Sequence, residues 1–237
     1  MNITKEQAHW DWWNKAKRTG HHESDGMFLE VRAAVLEEIR RYGPAAGRLI
    51  EIACGTGWLS DMVQEKYAYL GLDIGPESIE IAKSSHPHSE FICEDFLNWN
   101  PTDSFDLAVF IDAIAVFRDQ DAAIAKIRSF LARGSYLFMT TVNPIVYSRL
   151  SWIGAPAEGQ ARKWLSRSEL LSLLERNSFE VVRTYTVVPS GDKGFLRILN
   201  SWKLNRLFGM VIPKRWLKRL KEIVGLGAVR IAVARKI

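Results

Sequence analysis

Short apolar runs alternate with helical patterns along most of the chain from residue 48 onward. The runs that predict strands are 48–53, 67–73, 90–93, 105–111, 134–141, 179–188 and 229–235. The intervening segments that predict helices are 58–66, a segment opened by Pro76, 119–132 and 166–177. Because near-continuous apolar strands are buried on both faces, the pattern predicts an α/β fold with a mostly parallel sheet between two helical layers.

Helical patterns also flank the predicted sheet. Thr4 to Gln7 form a capping box, which predicts a helix running to about residue 18, and apolar spacing predicts a second helix over 26–42. Residues 143–165 carry no periodic pattern and predict a long loop, which in a compact domain is usually functional. Residues 195–224 are amphipathic and predict helices before the last strand.

The first predicted strand runs into a glycine turn, Glu51-Ile-Ala-Cys-Gly-Thr-Gly57, and a helix is predicted from Trp58. Glycine adopts positive φ and has no Cβ, so a ligand can lie against the bare backbone of such a turn. One interpretation is a tight turn without a ligand. Another is a dinucleotide fingerprint, G-x-G-x-x-G, with Ser60 at the third glycine position. A third interpretation depends on acidic residues further along the chain.

Acidic residues follow the next three predicted strands, as Asp73, Asp95 and Asp112. Ligands of open α/β sheets bind outside the carboxyl ends of the strands, so these positions face the same edge as the glycine turn. A carboxylate after the second strand suits the hydroxyls of a ribose, and one after the third can accept from the amine of adenine. Taken singly, each acid is equally well explained as a helix N-cap.

In this order, from residue 49 to about residue 183, the features resemble the class I S-adenosylmethionine-dependent methyltransferases. The turn resembles their acidic–x–Gly–x–Gly–x–Gly motif, with Ala53 in place of the first glycine. The resemblance implies a Rossmann-like sheet of seven mostly parallel strands, the last antiparallel, with helices on both faces. The length of the chain predicts a single domain over 1–237. Within it, 1–45 form a helical lid, 46–190 the cofactor-binding core, and 191–237 basic amphipathic helices and the final strand.

The resemblance further implies that S-adenosyl-L-methionine is the cofactor and which residues contact it. Those near its methionine part are Glu51, Ala53, Cys54, Gly55, Gly57 and Trp58. Asp73 is expected to hold the ribose, Ile74 to pack on the adenine, and Asp95 and Phe96 to take the adenine edge. Ile111 and Asp112, at the end of the fourth strand, complete the expected set.

Because the sulfonium already activates the methyl group, the enzyme mainly has to align the nucleophile and exclude water. We expect a small, aromatic or hydrophobic acceptor, methylated at oxygen. Val116 stands near the place where many relatives carry a histidine, so the candidates for a general base are His21 and His22. His86 and His88 are interpreted as surface residues on the opposite edge of the sheet.

Tryptophans cluster in the two regions expected to cover the acceptor. The candidate substrate residues in and beside these regions are Trp10, Trp13, Asn143 and Trp152. Tryptophan rings suit a pocket for a flat or hydrophobic molecule. Ordinary lid packing explains the tryptophans equally well.

The two cysteines, Cys54 and Cys93, lie at predicted strand ends without the spacing of a metal site, so we expect reduced thiols and no metal. Together with a start that lacks a signal peptide's apolar core and the absence of a long apolar run, this predicts a cytoplasmic protein. One alternative is a non-catalytic protein that binds S-adenosylmethionine.

Basic charge is concentrated in residues 193–237, which hold 12 Lys/Arg and one acid, Glu222. This charge raises the alternative of an RNA methyltransferase. Against it, Asp112-Ala-Ile differs from the Asn/Asp-Pro-Pro motif of enzymes that methylate base amines. Residues 214–224 instead place Trp216 and Leu220 on one apolar helical face beside basic residues. We hypothesise weak contact with an anionic membrane surface, the alternative being a helix packed on the domain with a solvated basic face.

Overall fold

A computed structural model describes residues 26–151, 162–209 and 213–237. The predictions that concern Trp10, Trp13, His21, His22 and Trp152 lie outside these described residues. The first predicted helix lies outside them as well.

The described chain alternates strands and helices as the sequence predicts. The strands are β1 (Gly47–Ile52), β2 (Tyr67–Asp73), β3 (Glu90–Cys93), β4 (Phe105–Phe110), β5 (Leu131–Val142), β6 (Phe179–Pro189) and β7 (Gly227–Lys236). The helices are α1 (Gly26–Tyr42), α2 (Ser60–Val63), α3 (Pro76–Ser85), α4 (Gln120–Phe130), α5 (Pro144–Tyr147), α6 (Arg167–Arg176), α7 (Gly194–Leu199), α8 (Trp202–Gly209) and α9 (Lys214–Ile223). A short 3₁₀ helix, Ile114–Val116, follows β4.

All seven strands form one sheet in the order β3-β2-β1-β4-β5-β7-β6. The pairs from β3 across to β5 are parallel, whereas β7 is antiparallel to both of its neighbours, β5 and β6. The predicted fold class is therefore confirmed, including the antiparallel last strand. Strand order reverses between β1 and β4, which makes the carboxyl ends of these two strands the expected ligand crevice.

Helices cover both faces of the sheet, because successive strand residues alternate between two apolar cores. Leu49 lies in the core shared with α1 and α3, and Ile50 lies in the core shared with α4 and α6. α6 begins with the predicted capping box, in which Ser166 and Glu169 cap each other's backbone N–H groups. These packed layers fix the positions of the loops at the carboxyl ends of the strands.

Several predicted bounds differ from the structure, and local bonding explains two of the differences. The predicted helix 58–66 is reduced to Ser60–Val63, because the chain after Gly57 makes tight bonds such as Ser60 N–H to Gly57 O and Met62 N–H to Leu59 O. The predicted loop 143–165 begins with the short helix α5. Pro144 suits the first turn of this helix, and the Asn143 side chain accepts from the Ile145 N–H.

The last helix, α9, is oriented with its apolar side outward. Trp216, Leu220, Ile223 and Val224 are all more than half exposed. The inward side is polar: Lys221 Nζ donates to Leu199 O, Asn200 Oδ1 and Asn205 Oδ1, each at 3.0 Å. The helix is nevertheless packed on the domain, since Thr186 Oγ1 of β6 donates to Glu222 O at 2.8 Å. Arg215, Lys218 and Arg219 are exposed. The alternative of a packed helix with a solvated basic face is therefore confirmed, although the side that packs is polar. Across the described ranges, no helix is both long enough and apolar enough to span a bilayer.

Candidate functional site

The turn after β1 has the backbone conformation expected of a ligand-binding loop. Ala53, Gly55 and Gly57 have φ values of 57°, 56° and 78°. Positive φ is natural for glycine but strained for alanine, so the exposed Ala53 adopts a conformation that favours glycine. The turn leaves β1 next to the β1/β4 crevice.

Asp73, the last residue of β2, holds this turn in place. Its Oδ2 accepts from the Gly55 N–H at 2.8 Å, and its Oδ1 accepts from the Gly75 N–H at 2.8 Å. The Cys54 N–H also bonds to Leu72 O at 3.2 Å. The acid predicted to bind ribose thus lies against the glycine turn and links the loops that follow β1 and β2.

Gly57 is a glycine partly for a reason that the sequence did not reveal. A Cβ built on Gly57 would lie 2.6 Å from the Phe91 ring, and one on Gly71 would lie 2.6 Å from the same ring. Phe91 therefore packs beneath the turn, on the side away from solvent. The missing Cβ of Gly57 makes room for this ring, whereas the sequence interpretation assigned it to the ligand.

His86 lies behind the same turn, so the prediction that it is a surface residue is wrong. Its side chain is 16% exposed, and its Nδ1 lies 2.8 Å from Asp61 Oδ2. The ring also packs near Phe91, with centroids 6.2 Å apart. His88 is exposed, as predicted. His86 therefore supports the helix after the glycine turn.

Glu51 is a buried carboxyl group, 1% exposed, on the α1 face of β1. The Tyr69 hydroxyl donates to Glu51 Oε2 at 2.6 Å. Burial raises the pKa of Glu51 to about 8, although the Tyr69 bond, the Arg32 charge and a Trp58 hydrogen bond oppose the shift. At neutral pH Glu51 is therefore mostly a neutral acid that can ionise when a cation comes near. Burial likewise raises the pKa of the Cys54 thiol well above its usual value.

The predicted adenine residues lie at the ends of β2 and β3. Asp95 Oδ1 accepts from the Leu97 N–H at 3.0 Å, and its Oδ2 accepts from Asn98 Nδ2 at 2.9 Å. The Phe96 side chain is buried and packs edge-on against Phe117 and Phe130. Ile74 is partly buried. Phe96 therefore contributes its ring to the core, so the ring is not available to a ligand.

Asp112, after β4, has a φ of 52°, a conformation that is uncommon for any residue but glycine. Thr140 holds it there: the Thr140 hydroxyl donates to Asp112 Oδ1 at 2.8 Å and accepts from the Asp112 N–H at 3.0 Å. Strained backbone of this kind is frequent at functional sites. Ile111, just before it, packs against the core on the α1 side.

Asn143 has a structural role in place of the predicted substrate contact. It is 1% exposed, and its Nδ2 donates to Gly225 O and Gly227 O, both at 2.8 Å. Its oxygen caps α5 through the Ile145 N–H. The side chain thus clamps the turn before β7, and its burial makes it unavailable to a substrate.

Arg230 and Thr141 are polar residues near the same edge that the sequence analysis did not select. They are register partners on β7 and β5, and they are 6% and 1% exposed. The available signal was an arginine inside the apolar strand Val229-Arg-Ile-Ala-Val. Its burial depends on the pairing of β5 with β7, which sequence spacing does not define.

The chain belongs to a known family: residues 26–184 match the family model described as "Methyltransferase domain". The predicted enzyme class, S-adenosylmethionine-dependent methyltransferase, and the predicted cofactor, S-adenosyl-L-methionine, are thereby confirmed.

Two similar curated proteins are both named malonyl-[acyl-carrier protein] O-methyltransferase. The protein from Paenibacillus sp. (strain JDR-2) is 25% identical over 135 residues, which cover 52% of this chain and 49% of that protein. The protein from Halalkalibacterium halodurans is 29% identical over 221 residues, covering 80% of this chain and 78% of that protein. The match thus spans about half the length of the first relative.

Solved structures share the fold. The N-methyltransferase NodS from Bradyrhizobium japonicum WM9, in complex with S-adenosyl-L-homocysteine, superposes with a TM-score of 0.68 at 14% identity, covering 98% of this chain and 99% of that one. An S-adenosylmethionine-dependent methyltransferase from Mesorhizobium loti gives a TM-score of 0.61 at 18% identity, covering 84% and 96%. At these identities the likeness shows the shared fold alone.

Proposed function

We propose that this protein transfers the methyl group of S-adenosyl-L-methionine to an oxygen atom of a small acceptor. The observation that carries the proposal is the Asp73 carboxylate bound to the Gly55 turn at the carboxyl edge of the sheet. The Asp73 carboxylate can accept hydrogen bonds from ribose hydroxyls. It lies beside backbone that the methionine part of the cofactor can contact. The names of the curated relatives support oxygen as the methylated atom.

The proposed cofactor contacts follow from this placement. Asp73 holds the ribose, and Ile74, Asp95 and the backbone of Phe96 surround the adenine. The backbone from Ala53 to Trp58 and the Glu51 carboxyl group face the methionine part. Glu51 suits that role because a carboxyl group with a pKa of about 8 ionises readily beside a cationic ligand.

The protein's main chemical contribution is alignment. The acceptor oxygen, the methyl carbon and the sulfur must lie in line, with water excluded. A hydroxyl acceptor needs a base, and we propose His21 or His22 for that case. Trp10, Trp13 and Trp152 are proposed to cover a flat or hydrophobic acceptor, with residues 1–45 acting as a lid.

The test is methyl transfer from S-adenosylmethionine labelled in its methyl group. The acceptors are small carboxylic acids, phenols, a malonyl thioester of acyl-carrier protein, and total RNA. We expect the label to appear in a small acceptor. If the product is a methyl ester, mild alkali will release the label from it. Label only in RNA would establish the RNA alternative, and cofactor binding without transfer to any acceptor would establish the non-catalytic one.

His21→Ala and His22→Ala are assayed separately, and wild-type turnover by both would remove the proposed base.

We also propose weak contact between the outward face of α9 and an anionic lipid surface. The apolar side chains Trp216 and Ile223 are exposed by 58% and 73%, and the neighbouring Arg215 and Arg219 are exposed too. Basic residues around exposed tryptophan and aliphatic side chains match anionic headgroups above an apolar layer. This charge complementarity supports lipid as the occupant of the face.

Co-sedimentation with phosphatidylcholine vesicles containing increasing phosphatidylglycerol tests this contact at low and physiological salt. We expect binding that rises with the anionic fraction, falls with salt and is lost in a Trp216→Ser/Ile223→Ser variant. Ile237→Ser, which changes an exposed apolar residue at the far end of β7, is the matched control. No binding at low salt contradicts the proposal, and self-association lost in the same double variant would assign the face to a second copy of the chain.

A further inference from the structure

Arg230 is a buried charged side chain whose Nε has no hydrogen-bond partner among the residues that the structure describes. Its register partner on β5, Thr141, also has a buried Oγ1 without a partner in the described chain. Directly paired residues on antiparallel strands project from the same face of a sheet. Two unsatisfied polar groups therefore stand side by side on one face.

An arrangement of this kind is costly in the folded protein. An isolated charge that leaves water costs several kcal/mol unless an opposite charge or hydrogen bonds compensate. Burial lowers the pKa of Arg230, and the charge of Arg167, at the start of α6, lowers it further. Because both effects disfavour the positive charge of Arg230, a bound anion would stabilise the charged side chain and a bound cation would destabilise it.

The pair lies at the edge of the sheet where the cofactor is proposed to bind. Thr141 is the next-to-last residue of β5, and the preceding residue, Thr140, bonds to Asp112 at the end of β4. β7 runs antiparallel to β5, so Arg230, near the start of β7, lies at that same edge. Thr141 therefore lies one strand beyond the β1/β4 crevice, and Arg230 lies two strands beyond it.

We propose that Arg230 and Thr141 bind the carboxylate of an acidic acceptor, an inference that rests on the proposed methyl transfer to oxygen. A guanidinium presents several N–H donors in a fixed plane, and the Thr141 hydroxyl adds another. Together they match the two oxygens of a carboxylate better than a neutral alcohol. The acceptor class is thus a carboxylic acid.

The transfer then balances without a general base. One carboxylate oxygen attacks the methyl carbon, an O–C bond forms, the C–S bond breaks, and its electron pair goes to sulfur. The negative carboxylate and the positive sulfonium become a neutral methyl ester and a neutral thioether. Since no proton moves, a carboxylate acceptor requires neither His21 nor His22 as a base. Arg230 acts by binding and orienting the acceptor.

The test uses the full chain saturated with S-adenosylhomocysteine, with malonate as the probe and chloride at matched ionic strength as the reference. Calorimetry measures malonate affinity for the wild type, Arg230→Met, Thr141→Val and Arg235→Met. We expect Arg230→Met to weaken malonate binding by about 10- to 100-fold, the effect of hydrogen bonds to a charged group. Thr141→Val weakens it less. Arg235, exposed and paired with Glu180 at the far end of β7, is the matched control and leaves affinity unchanged.

A second readout is the thermal midpoint of the unliganded protein. Replacing a buried charge that has no partner among the described residues with methionine should leave the midpoint equal or raise it, whereas a structural arginine would give a lower midpoint. Wild-type malonate affinity in Arg230→Met, or no malonate binding by the wild type, overturns the proposal. If Arg230→Met does not fold, unchanged malonate affinity in Thr141→Val overturns the proposal. Binding of S-adenosylhomocysteine is measured on the same samples. If the wild type does not bind it, the result contradicts the proposed function and not the proposed carboxylate site.

Discussion

The Gly55 N–H donates a 2.8 Å hydrogen bond to Asp73 Oδ2, so the acid at the end of β2 anchors the turn at the end of β1. The other carboxylate oxygen accepts from the Gly75 N–H. Asp73 therefore supports the shape of the proposed cofactor site, in addition to the ribose contact we propose for it. A loss of affinity in Asp73→Ala alone could come from either role.

The ribose contact is isolated by changing the ligand together with the residue. We expect wild-type protein to bind S-adenosylhomocysteine about 10- to 100-fold more tightly than its 2′,3′-dideoxy analogue, since hydrogen bonds to a charged acceptor are lost. Asp73→Ala should bind both ligands weakly and with nearly equal affinity. Calorimetry of the two proteins with each of the two ligands gives the coupling free energy between Asp73 and the ribose hydroxyls. Asp103→Ala, an exposed acid paired with Arg48, is the control. Full discrimination retained by Asp73→Ala would remove the ribose assignment.

Glu51 should make the stability of the unliganded protein fall as pH rises. Its pKa is 4.5 when unperturbed and about 8 in the folded protein, so the folded state holds the proton more tightly than the unfolded state. Its contribution is fully present below pH 4.5 and is lost as pH rises to about 8. The slope expected from one group is about 1.4 kcal/mol per pH unit.

Urea unfolding of wild type and Glu51→Gln across that range measures this slope. The difference between the two proteins isolates Glu51, because the other titrating groups are shared. We expect the glutamine variant to lack the decline. Parallel stability curves for the two proteins would show that Glu51 is ionised in the folded state and would contradict its role as a neutral buried acid.

Ala53→Gly should stabilise the protein or leave its stability unchanged, although glycine usually destabilises. Ala53 has a φ of 57°, where a Cβ costs about 1 kcal/mol, and this cost offsets the greater chain entropy of glycine. Ala68→Gly is the matched control, since Ala68 is an exposed residue of β2 with ordinary strand backbone. That change should destabilise by about 0.5–1 kcal/mol. Equal losses in both variants, measured by chemical denaturation, would mean that the turn imposes no strain on Ala53.

Local pattern was sufficient to predict the sheet and the acidic residues at its edge. β2 and β3 have the predicted limits because breakers flank compact apolar runs, and the capping box of Ser166 and Glu169 marks the start of α6. Asp73 could be placed beside the glycine turn because parallel strands bring their carboxyl ends to one edge.

Features that depend on which distant residues meet could not be predicted in this way. Periodicity shows that Trp216 and Leu220 share a helical face but does not show that the face points outward. The contact of Phe91 with Gly57 and the pairing of Arg230 with Thr141 depend on three-dimensional packing and register. The raised pKa of Glu51 comes from burial, which has no local signature.

The most direct test of the account is the structure of the protein with S-adenosylhomocysteine. We expect ribose hydroxyls within hydrogen-bond distance of Asp73. We expect the homocysteine part along the backbone from Ala53 to Trp58, with its sulfur toward the side of the sheet that carries Arg230. A ribose that makes no contact with Asp73, or a ligand bound away from the β1/β4 crevice, would contradict it.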